Sequence, residues 1–240
     1  MGNDGKHSMK KLPLGIYTFS DIIKDANVYV DKTAIALDLL QSGRYYFLSR
    51  PRRFGKSLFL DTLKEVFNGN KELFKGLHIY NKWDFKDTSP VIKIDFAAGF
   101  QGPLERFDRK IRFALKEAER NLGIQILNDD PAECLQELIW QAHEKHQKKV
   151  VILVDEYDKP ILDNLLDKEK ARSIRDAMKG FYAVIKQNDP YIRFAFITGV
   201  SKFSKMNLFS GLNNLYDITL HPKYGNISVS YTHLTLPTKA

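Results

Sequence analysis

Short apolar runs and amphipathic segments alternate along most of the chain. Four of the runs predict buried strands: RYYFLS at 44–49, PVIKIDFA at 90–97, VVILV at 150–154 and YIRFAFITG at 191–199. A fifth strand is expected within NNLYDITLHP at 213–222. The unbroken aliphatic run at 150–154 is typical of a strand that is covered on both faces.

The segments between these runs carry apolar residues at helical spacing. They predict helices at 57–67, at 103–123, from Pro131 onward and from about 160 to 187. Gly123 supplies a stop signal, and a proline is favoured in a first helical turn. Because strands alternate with helices, we expect an α/β fold with a central, mostly parallel sheet flanked by helices.

Length and composition fit one domain with a sizeable core. The chain has 240 residues, of which 43% are hydrophobic, and the buried fraction of the surface rises with chain length. We expect this domain to extend from residue 12 to residue 227, after a polar, basic and disordered tail at 1–11. Residues 228–240, SVSYTHLTLPTKA, resemble translated adapter sequence from a sequencing library, so the native part is expected to break off near Ile227.

Cysteine content, hydropathy and charge restrict the compartment and the class of partner. The single cysteine, Cys134, cannot form an intramolecular disulfide or a cysteine metal cluster, which favours a reducing, cytoplasmic compartment. No apolar run approaches the roughly 18 residues that a membrane span needs. The net charge of +8 favours anionic partners, nucleotides and nucleic acids alike, and a charge scattered over a solvated surface is the alternative.

Gly55-Lys56-Ser57 is the first candidate for chemistry. These residues follow the predicted strand at 44–49 and open the predicted helix at 57–67, which is the place of a phosphate-binding loop in an α/β fold. Helix amides attract phosphate, a lysine adds charge at the terminal phosphates, and a serine hydroxyl can join the shell of Mg²⁺. Taken alone, the tripeptide is more often a basic turn.

Arg50 occupies the position at which such a loop commonly has its first glycine. Because it precedes Pro51, we expect Arg50 to be extended and the strand to run through it. A left-handed Arg50 would cost about 1 to 2 kcal/mol, which is small against the roughly 8 kcal/mol of a micromolar nucleotide complex. The amides from Phe54 to Ser57 stay available to a phosphate.

Asp155-Glu156 directly follows the aliphatic run at 150–154. A hydrophobic strand that ends in Asp-Glu is the Walker B arrangement, in which the aspartate holds Mg²⁺ through water and the glutamate positions or deprotonates the attacking water. An isolated acid pair could instead be a helix N-cap or a solvated turn. Combined with Gly55-Lys56-Ser57, the pair favours a nucleotide triphosphatase.

Thr198 and several basic residues are candidates for sensing or stabilising the terminal phosphate. Thr198 ends the strand at 191–199, with Ser201 as second choice, and an ordinary strand-end threonine is the alternative. Arg53 is the first candidate for a charge clamp, since a charge-assisted hydrogen bond contributes about 1.5 to 3 kcal/mol. The other basic candidates, for which solvated loop charges are the alternative, are Arg50, Arg52, Arg193 and Lys202.

Two further features give weaker signals. Tyr29 or Asp31 could contact an adenine base, although a cap at the start of a helix is favoured. His143 and His146 lie three apart on a predicted helix, but no carboxylate or cysteine set completes a metal site, so surface histidines are favoured.

Four segments resemble the predicted AAA-ATPase-like proteins of bacteria, relatives of archaeal and STAND-type P-loop ATPases. They are YVDKT at 29–33, FLSRPRRFGKSLFL at 47–60, VVILVDEYDKPI at 150–161 and FITGVSKFSKMNLFSGLNNL at 196–215. The resemblance covers about residues 12–227, and an arginine-rich loop without the first glycine is normal in this family. It implies a P-loop NTPase fold of the additional-strand, AAA-like type. Family members commonly continue into a nuclease-like domain of the PD-(D/E)xK type, which these residues do not supply.

The resemblance also implies cofactors and site residues. It gives Lys56 and Ser57 the Walker A roles, Asp155 and Glu156 the Walker B roles, and ATP with Mg²⁺ as cofactors. Together with the residue analysis, this makes Glu156, Lys56, Thr198 and Arg53 the candidate catalytic residues, and Ser57 and Asp155 the candidate metal residues. The candidate nucleotide-binding loop comprises Arg50, Pro51, Arg52, Arg53, Phe54, Gly55, Lys56, Ser57 and Leu58.

Three functions are compatible with these patterns. The first is Mg²⁺-dependent hydrolysis of ATP that drives a conformational change. The second is a STAND-like switch that binds ATP or ADP tightly with little turnover. The third is a nucleic-acid-binding protein in which residues 50–56 grip a phosphate backbone while Asp155, Glu156 and Asp158 hold a nuclease metal. Beyond ATP and ADP, a nucleic acid or a protein could be bound through a missing C-terminal domain, and no membrane partner is expected.

Overall fold

The structure is a computed structural model that describes residues 11–13, 15–201, 208–209 and 214–227. The predicted tail at 228–240 lies outside the described residues, as does the predicted tail at 1–11 apart from Lys11. Lys202, one of the basic candidates, also lies outside them.

A five-stranded sheet forms the centre of the protein. Its strands are β1 (Tyr45–Ser49), β2 (Val91–Asp95), β3 (Val150–Asp155), β4 (Ile192–Gly199) and β5 (Tyr216–Asp217). They lie in the order β2-β3-β4-β1-β5, and every neighbouring pair is parallel. The predicted α/β class and the predicted strands are therefore confirmed, with a fifth strand that is short and a sheet that is entirely parallel.

Helices cover both faces of the sheet. They are α1 (Phe19–Lys24), α2 (Thr33–Ser42), α3 (Lys56–Phe67), α4 (Phe107–Leu122), α5 (Pro131–His146), α6 (Lys159–Leu162) and α7 (Lys168–Gln187). The stretch predicted as one helix from about 160 to 187 is two helices, because Asp167 caps α7 by accepting a hydrogen bond from the Lys170 amide at 3.0 Å. Gly123 ends α4 in a left-handed conformation, as its stop signal predicts.

The alternation of side chains along β3 explains its unbroken aliphatic sequence. Ile152 and Val154 pack in the core shared with α4, α5 and α7, whereas Val151 and Leu153 pack in the core shared with α2 and α3. Every residue of β3 is buried. A strand between two helical layers has no solvent face, so it needs apolar side chains at every position.

Parallel pairing brings the carboxyl ends of four strands together. Ser49 at the end of β1 lies opposite Gly199 at the end of β4, and Asp95 at the end of β2 lies opposite Asp155 at the end of β3. Since β4 lies between β1 and β3, the turns that follow these two strands flank its end. We call this region the carboxyl end of the sheet.

Hydropathy along the helices gives no sign of a membrane span. In the part of the chain that the structure describes, no helix has the length and the apolar character that crossing a bilayer requires.

The two-sided burial of β3 leads to a stability prediction. Ile152 has no exposed surface, so Ile152→Ala should leave a cavity and lower the free energy of unfolding by about 2 to 5 kcal/mol in chemical denaturation. Leu166→Ala is the matched control, because Leu166 is fully exposed and its truncation should change the stability by less than about 0.5 kcal/mol. Equal losses in the two variants would contradict the assignment of β3 as a central buried strand.

Candidate functional site

The loop between β1 and α3 contains the Gly-Lys-Ser tripeptide, and we call residues 50–58 the Gly-Lys-Ser loop. The Arg50 amide donates to the Gly199 carbonyl at 3.1 Å, so pairing with β4 continues one residue beyond β1, as the following proline predicts. Arg50 is not left-handed. The left-handed residues of the loop are Arg53, with a φ of 66°, and Gly55, with a φ of 77°.

The Gly-Lys-Ser loop exposes a run of free backbone donors. The amides from residue 52 to residue 58 donate a hydrogen bond to no other described residue. They surround the N-terminus of α3, where the helix dipole adds positive potential. Left-handed residues within such a turn direct successive N–H groups into one concavity, which is the geometry of an anion site.

Lys56 is buried at the bottom of this loop. Its side chain is 4% exposed, and its ammonium donates to the carbonyls of Arg50 and Pro51, at 3.1 Å each. Burial lowers the pKa of Lys56, and the nearby carboxylates of the Asp155-Glu156 turn oppose that shift. The structure therefore brings the lysine and the acid pair together at the carboxyl end of the sheet.

Asp155 is held in place by β4. It is 1% exposed, and its Oδ1 accepts hydrogen bonds from the Thr198 hydroxyl at 2.5 Å and from the Glu156 amide at 3.1 Å. Thr198 is fully buried and so acts on the carboxylate beside it. The Oδ2 atom of Asp155 accepts no hydrogen bond within the described part of the chain, which leaves it available to a ligand.

The donor set suits a magnesium ion that is held mainly by phosphate and water. The Ser57 hydroxyl, like Asp155 Oδ2, has no hydrogen-bond partner among the described residues. No group of three or more His, Cys, Asp or Glu side chains in the described ranges is arranged to hold a metal ion. Mg²⁺ in phosphate sites takes one or two protein oxygens together with phosphates and waters, so the two available oxygens fit this ion.

Glu156 has the environment of a proton acceptor. Its backbone is left-handed, with a φ of 50°, and its side chain is partly buried. Burial and then the charge of Asp155 raise the pKa of Glu156, while Lys56 and Arg52 lower it. A carboxylate with an increased affinity for a proton can deprotonate a bound water.

The arginines of the loop lie in different environments. Arg50 points away from the amides and donates to the carbonyls of Ser49, at 3.1 Å, and Thr219, so it connects β1 to the chain after β5. Arg52 and Arg53 are exposed. The charge of Arg52 lowers the pKa of both Lys56 and Glu156, so Arg52 lies near the acid pair.

Arg193 is at the opposite end of the sheet. Its guanidinium pairs with Asp87 at 2.6 Å and donates to the Ser89 hydroxyl at 3.1 Å. Its candidacy as a charge clamp was wrong, because Arg193 is the second residue of β4 whereas Thr198 lies near the end of that strand.

The sequence analysis did not predict the roles of three residues of the site. Asp95 is an exposed carboxylate opposite Asp155, and an acid at the end of a predicted strand was the available signal. Asp158 accepts hydrogen bonds from the amides of Val200, at 3.1 Å, and Ser201, at 2.7 Å. Tyr157 packs so closely on β4 that a Cβ atom at Gly199 would lie 2.2 Å from its ring.

The weaker candidates have structural contacts. Asp31 accepts hydrogen bonds from the amides of Thr33, at 2.8 Å, and His78, at 2.7 Å, which favours the cap interpretation at the start of α2. The ring of Tyr29 packs edge-on against Phe19 at 5.0 Å. His143 Nδ1 lies 3.0 Å from the Lys148 carbonyl.

Comparison with known proteins identifies the family. The family described as predicted AAA-ATPase matches residues 13–209. The chain belongs to this family. A relative from Azotobacter chroococcum mcd 1, an "Uncharacterized protein in vnfD 5'region", is 52% identical over 218 residues, which make up 90% of this chain and 42% of the relative. The chain thus spans less than half the length of that relative. No solved structure matches the chain.

Family membership completes the assignment of the fold. A five-stranded parallel sheet with helices on both faces is the core expected of a P-loop NTPase, and β4 is the additional strand between β1 and β3. The family description names a predicted ATPase, which implies nucleotide binding.

The contact between Thr198 and Asp155 generates a prediction about stability. Thr198→Val keeps the shape of the side chain but leaves a buried carboxylate oxygen without its hydroxyl donor. We expect the free energy of unfolding to fall by about 1.5 to 3 kcal/mol in urea titrations. Thr198→Ser is the control that retains the hydroxyl, and a valine variant as stable as the serine variant would contradict the positioning role of Thr198.

Proposed function

We propose that this protein binds ATP with Mg²⁺ and hydrolyses it, and that the change of nucleotide drives a conformational change. The observation that carries the proposal is a run of amides without a partner in the described chain around buried Lys56, whose charge lies near the Asp155-Glu156 pair. Free donors at a helix N-terminus attract an anion. The adjacent acid pair adds a metal ligand and a base, which hydrolysis requires and phosphate binding alone does not.

The loop residues bind and orient the phosphates. The amides from Arg52 to Leu58 donate to phosphate oxygens, and the Lys56 ammonium exchanges its bonds with loop carbonyls for bonds with the terminal phosphates. Ser57 and Asp155 would hold the magnesium ion, which neutralises charge on the phosphates when bound.

The acid pair and Thr198 carry the chemistry of the proposal. Glu156 accepts a proton from the attacking water, and general base catalysis of this kind contributes about a hundredfold to ten-thousandfold. Thr198 positions Asp155 through its hydroxyl. Arg52 supplies positive charge beside Glu156 and stabilises the charge that develops on the phosphate.

The turn after β3 can transmit the state of the nucleotide. Glu156 is followed by Tyr157 and Asp158, and Asp158 holds the amides of Val200 and Ser201 beyond β4. The Tyr157 hydroxyl donates to the Ser201 carbonyl at 3.0 Å. A shift of Glu156 would therefore move the segment that follows β4.

A nuclease or backbone grip at the same residues has less support. Lys56 is buried and bonded to loop carbonyls, so it cannot reach a polymer on the surface. Both carboxylate oxygens of Asp158 accept backbone hydrogen bonds, so this residue is not a free metal ligand.

Substitution of the lysine and of the glutamate should separate binding from turnover. Lys56→Ala should weaken ATP binding by at least about tenfold in calorimetric titrations with Mg²⁺, since a charge-assisted contact is lost. Glu156→Gln should retain binding while multiple turnover falls by at least about a hundredfold. Controls are Lys179→Ala and Glu144→Gln, at exposed positions outside the site.

The same measurements can contradict the proposal. Unchanged turnover in Glu156→Gln would remove that residue from its role as base. A single stoichiometric burst from the unmodified protein, with no further turnover, would replace hydrolysis by a STAND-like switch.

The pH dependence of hydrolysis gives an independent prediction. The base must be ionised, so kcat/KM should fall as pH decreases through the raised pKa of Glu156. Asp95 contributes to that rise, so Asp95→Asn should lower the pKa of Glu156 and shift the acid limb of the profile to lower pH. Glu144→Gln should leave the limb in place, and an identical limb in the Asp95→Asn enzyme would contradict the coupling.

A further inference from the structure

A groove of about 690 Å³ opens beside the end of β2, next to the nucleotide site. Its walls are the loop at 98–101, the first turns of α4 and the helix α6. It is lined by Arg106 directly before α4, by Arg109, Lys110 and Phe113 of α4, by Lys159 of α6 and by Asp163 directly after α6. We call it the basic groove.

The cation at the N-cap of α4 and those of its first turns form one continuous face. Residues 106, 109, 110 and 113 follow the spacing that places side chains on the same side of a helix. Within the described ranges, Arg106, Arg109 and Lys110 take part in no ion pair. Asp163, the carboxylate among the lining residues, is already paired with Lys159. The lining of the groove therefore has three cations that form no ion pair within the described chain.

An exposed aromatic ring lies on the same face. Phe113 is 66% exposed, although it occupies the middle of an otherwise amphipathic helix. A solvent-exposed phenylalanine has no folding advantage at this position, because the apolar face of α4 is formed by Ile111 and Leu115. Cations that alternate with an exposed ring are the combination by which proteins bind single-stranded nucleic acid, with phosphates on the cations and a base stacked on the ring.

We propose that the basic groove binds single-stranded nucleic acid. A duplex keeps its bases stacked inside, where Phe113 cannot reach them. An acidic peptide would match the cations but would leave the ring in water. Bound in the groove, a single strand places its phosphates on Arg106, Arg109 and Lys110 and one base on Phe113.

The basic groove shares structural elements with the nucleotide site. The Lys159 amide donates to the Glu156 carbonyl at 3.0 Å, so α6 starts directly from the turn that carries the proposed base. The side-chain amide of Asn164 donates a hydrogen bond to the carbonyl of Phe100, in the loop that lines the groove, at 2.7 Å. Gly99 packs so close to α6 that an added Cβ atom would lie 1.9 Å from Asp163. A strand bound in the groove would thus contact α6. Binding of that strand does not depend on ATP hydrolysis.

Fluorescence anisotropy with a labelled oligothymidylate of about 12 nucleotides tests the proposal on the intact chain without nucleotide. At near-physiological salt, the double variant Arg106→Glu/Arg109→Glu should bind at least about tenfold more weakly. Its salt dependence should lose about 1.4 units of slope, about 0.7 for each phosphate contact on a single strand. Phe113→Ala should weaken binding by about fivefold or more through lost stacking.

Matched controls separate the groove from general charge and from the nucleotide site. Lys179→Glu/Lys186→Glu makes the same charge change at exposed positions on α7, outside the residues that line the groove, and should weaken binding by less than about threefold. Lys56→Ala should bind the oligonucleotide as the unmodified protein does. Circular dichroism and thermal melting would establish that each variant is folded.

Three outcomes would overturn the inference. Equal weakening by the two double variants would show binding by diffuse charge. Tighter binding of a labelled polyglutamate peptide than of the oligonucleotide would assign the groove to an acidic protein partner. Tighter binding of a duplex of the same length would remove the role of Phe113.

Discussion

Burial of the Lys56 ammonium is the constraint on which the carboxyl end of the sheet depends. Removing a cation from water disfavours its charged form, and burial indeed lowers the pKa of Lys56. Two loop carbonyls and the nearby carboxylates of Asp155, Glu156 and Asp158 offset that cost. These groups are positioned only because β1, β4 and β3 are parallel and end at the same level. The charge of the lysine and the charges of the acid pair therefore stabilise one another even without a ligand.

Two of the four described non-glycine residues with positive φ lie in this arrangement, and the other two are Ala26 and Gln147. Arg53 and Glu156 are non-glycine residues with positive φ, and each left-handed conformation costs about 1 to 2 kcal/mol. They lie in the Gly-Lys-Ser loop and directly after Asp155, whereas Arg50 is free of this strain. Arg50 can therefore replace the first glycine of the loop without conformational strain, because the left-handed turn occurs further along the loop. Strain retained at two facing turns is typical of functional sites.

The strands and both candidate motifs could be predicted because their signals are local. An aliphatic run followed by Asp-Glu, or an apolar strand followed by Gly-Lys-Ser, indicates its own position at a strand end. The orientation of Arg50 toward Thr219 could not be predicted, since the two residues are far apart in sequence and meet only through the pairing of β1 with β5. The same holds for Asp158, which accepts hydrogen bonds from amides beyond β4. Long-range contacts decide these two features, and a single sequence carries no signal of them. The break between α6 and α7 depends instead on a local aspartate cap, for which Asp167 was the available signal.

The two helices that leave the nucleotide site differ in how firmly they are held. Helix α3 has 12 residues, most of them buried, so its motion would disturb a large part of the core. Helix α6 has only four residues, of which Pro160 and Ile161 are buried, and the flanking Asp158 and Asn164 side chains add hydrogen bonds. Local opening requires least free energy where few buried contacts are lost. A change at Glu156 should therefore pass into α6 and the segment after β4 rather than into α3, and α6 is also the helix that forms one wall of the basic groove.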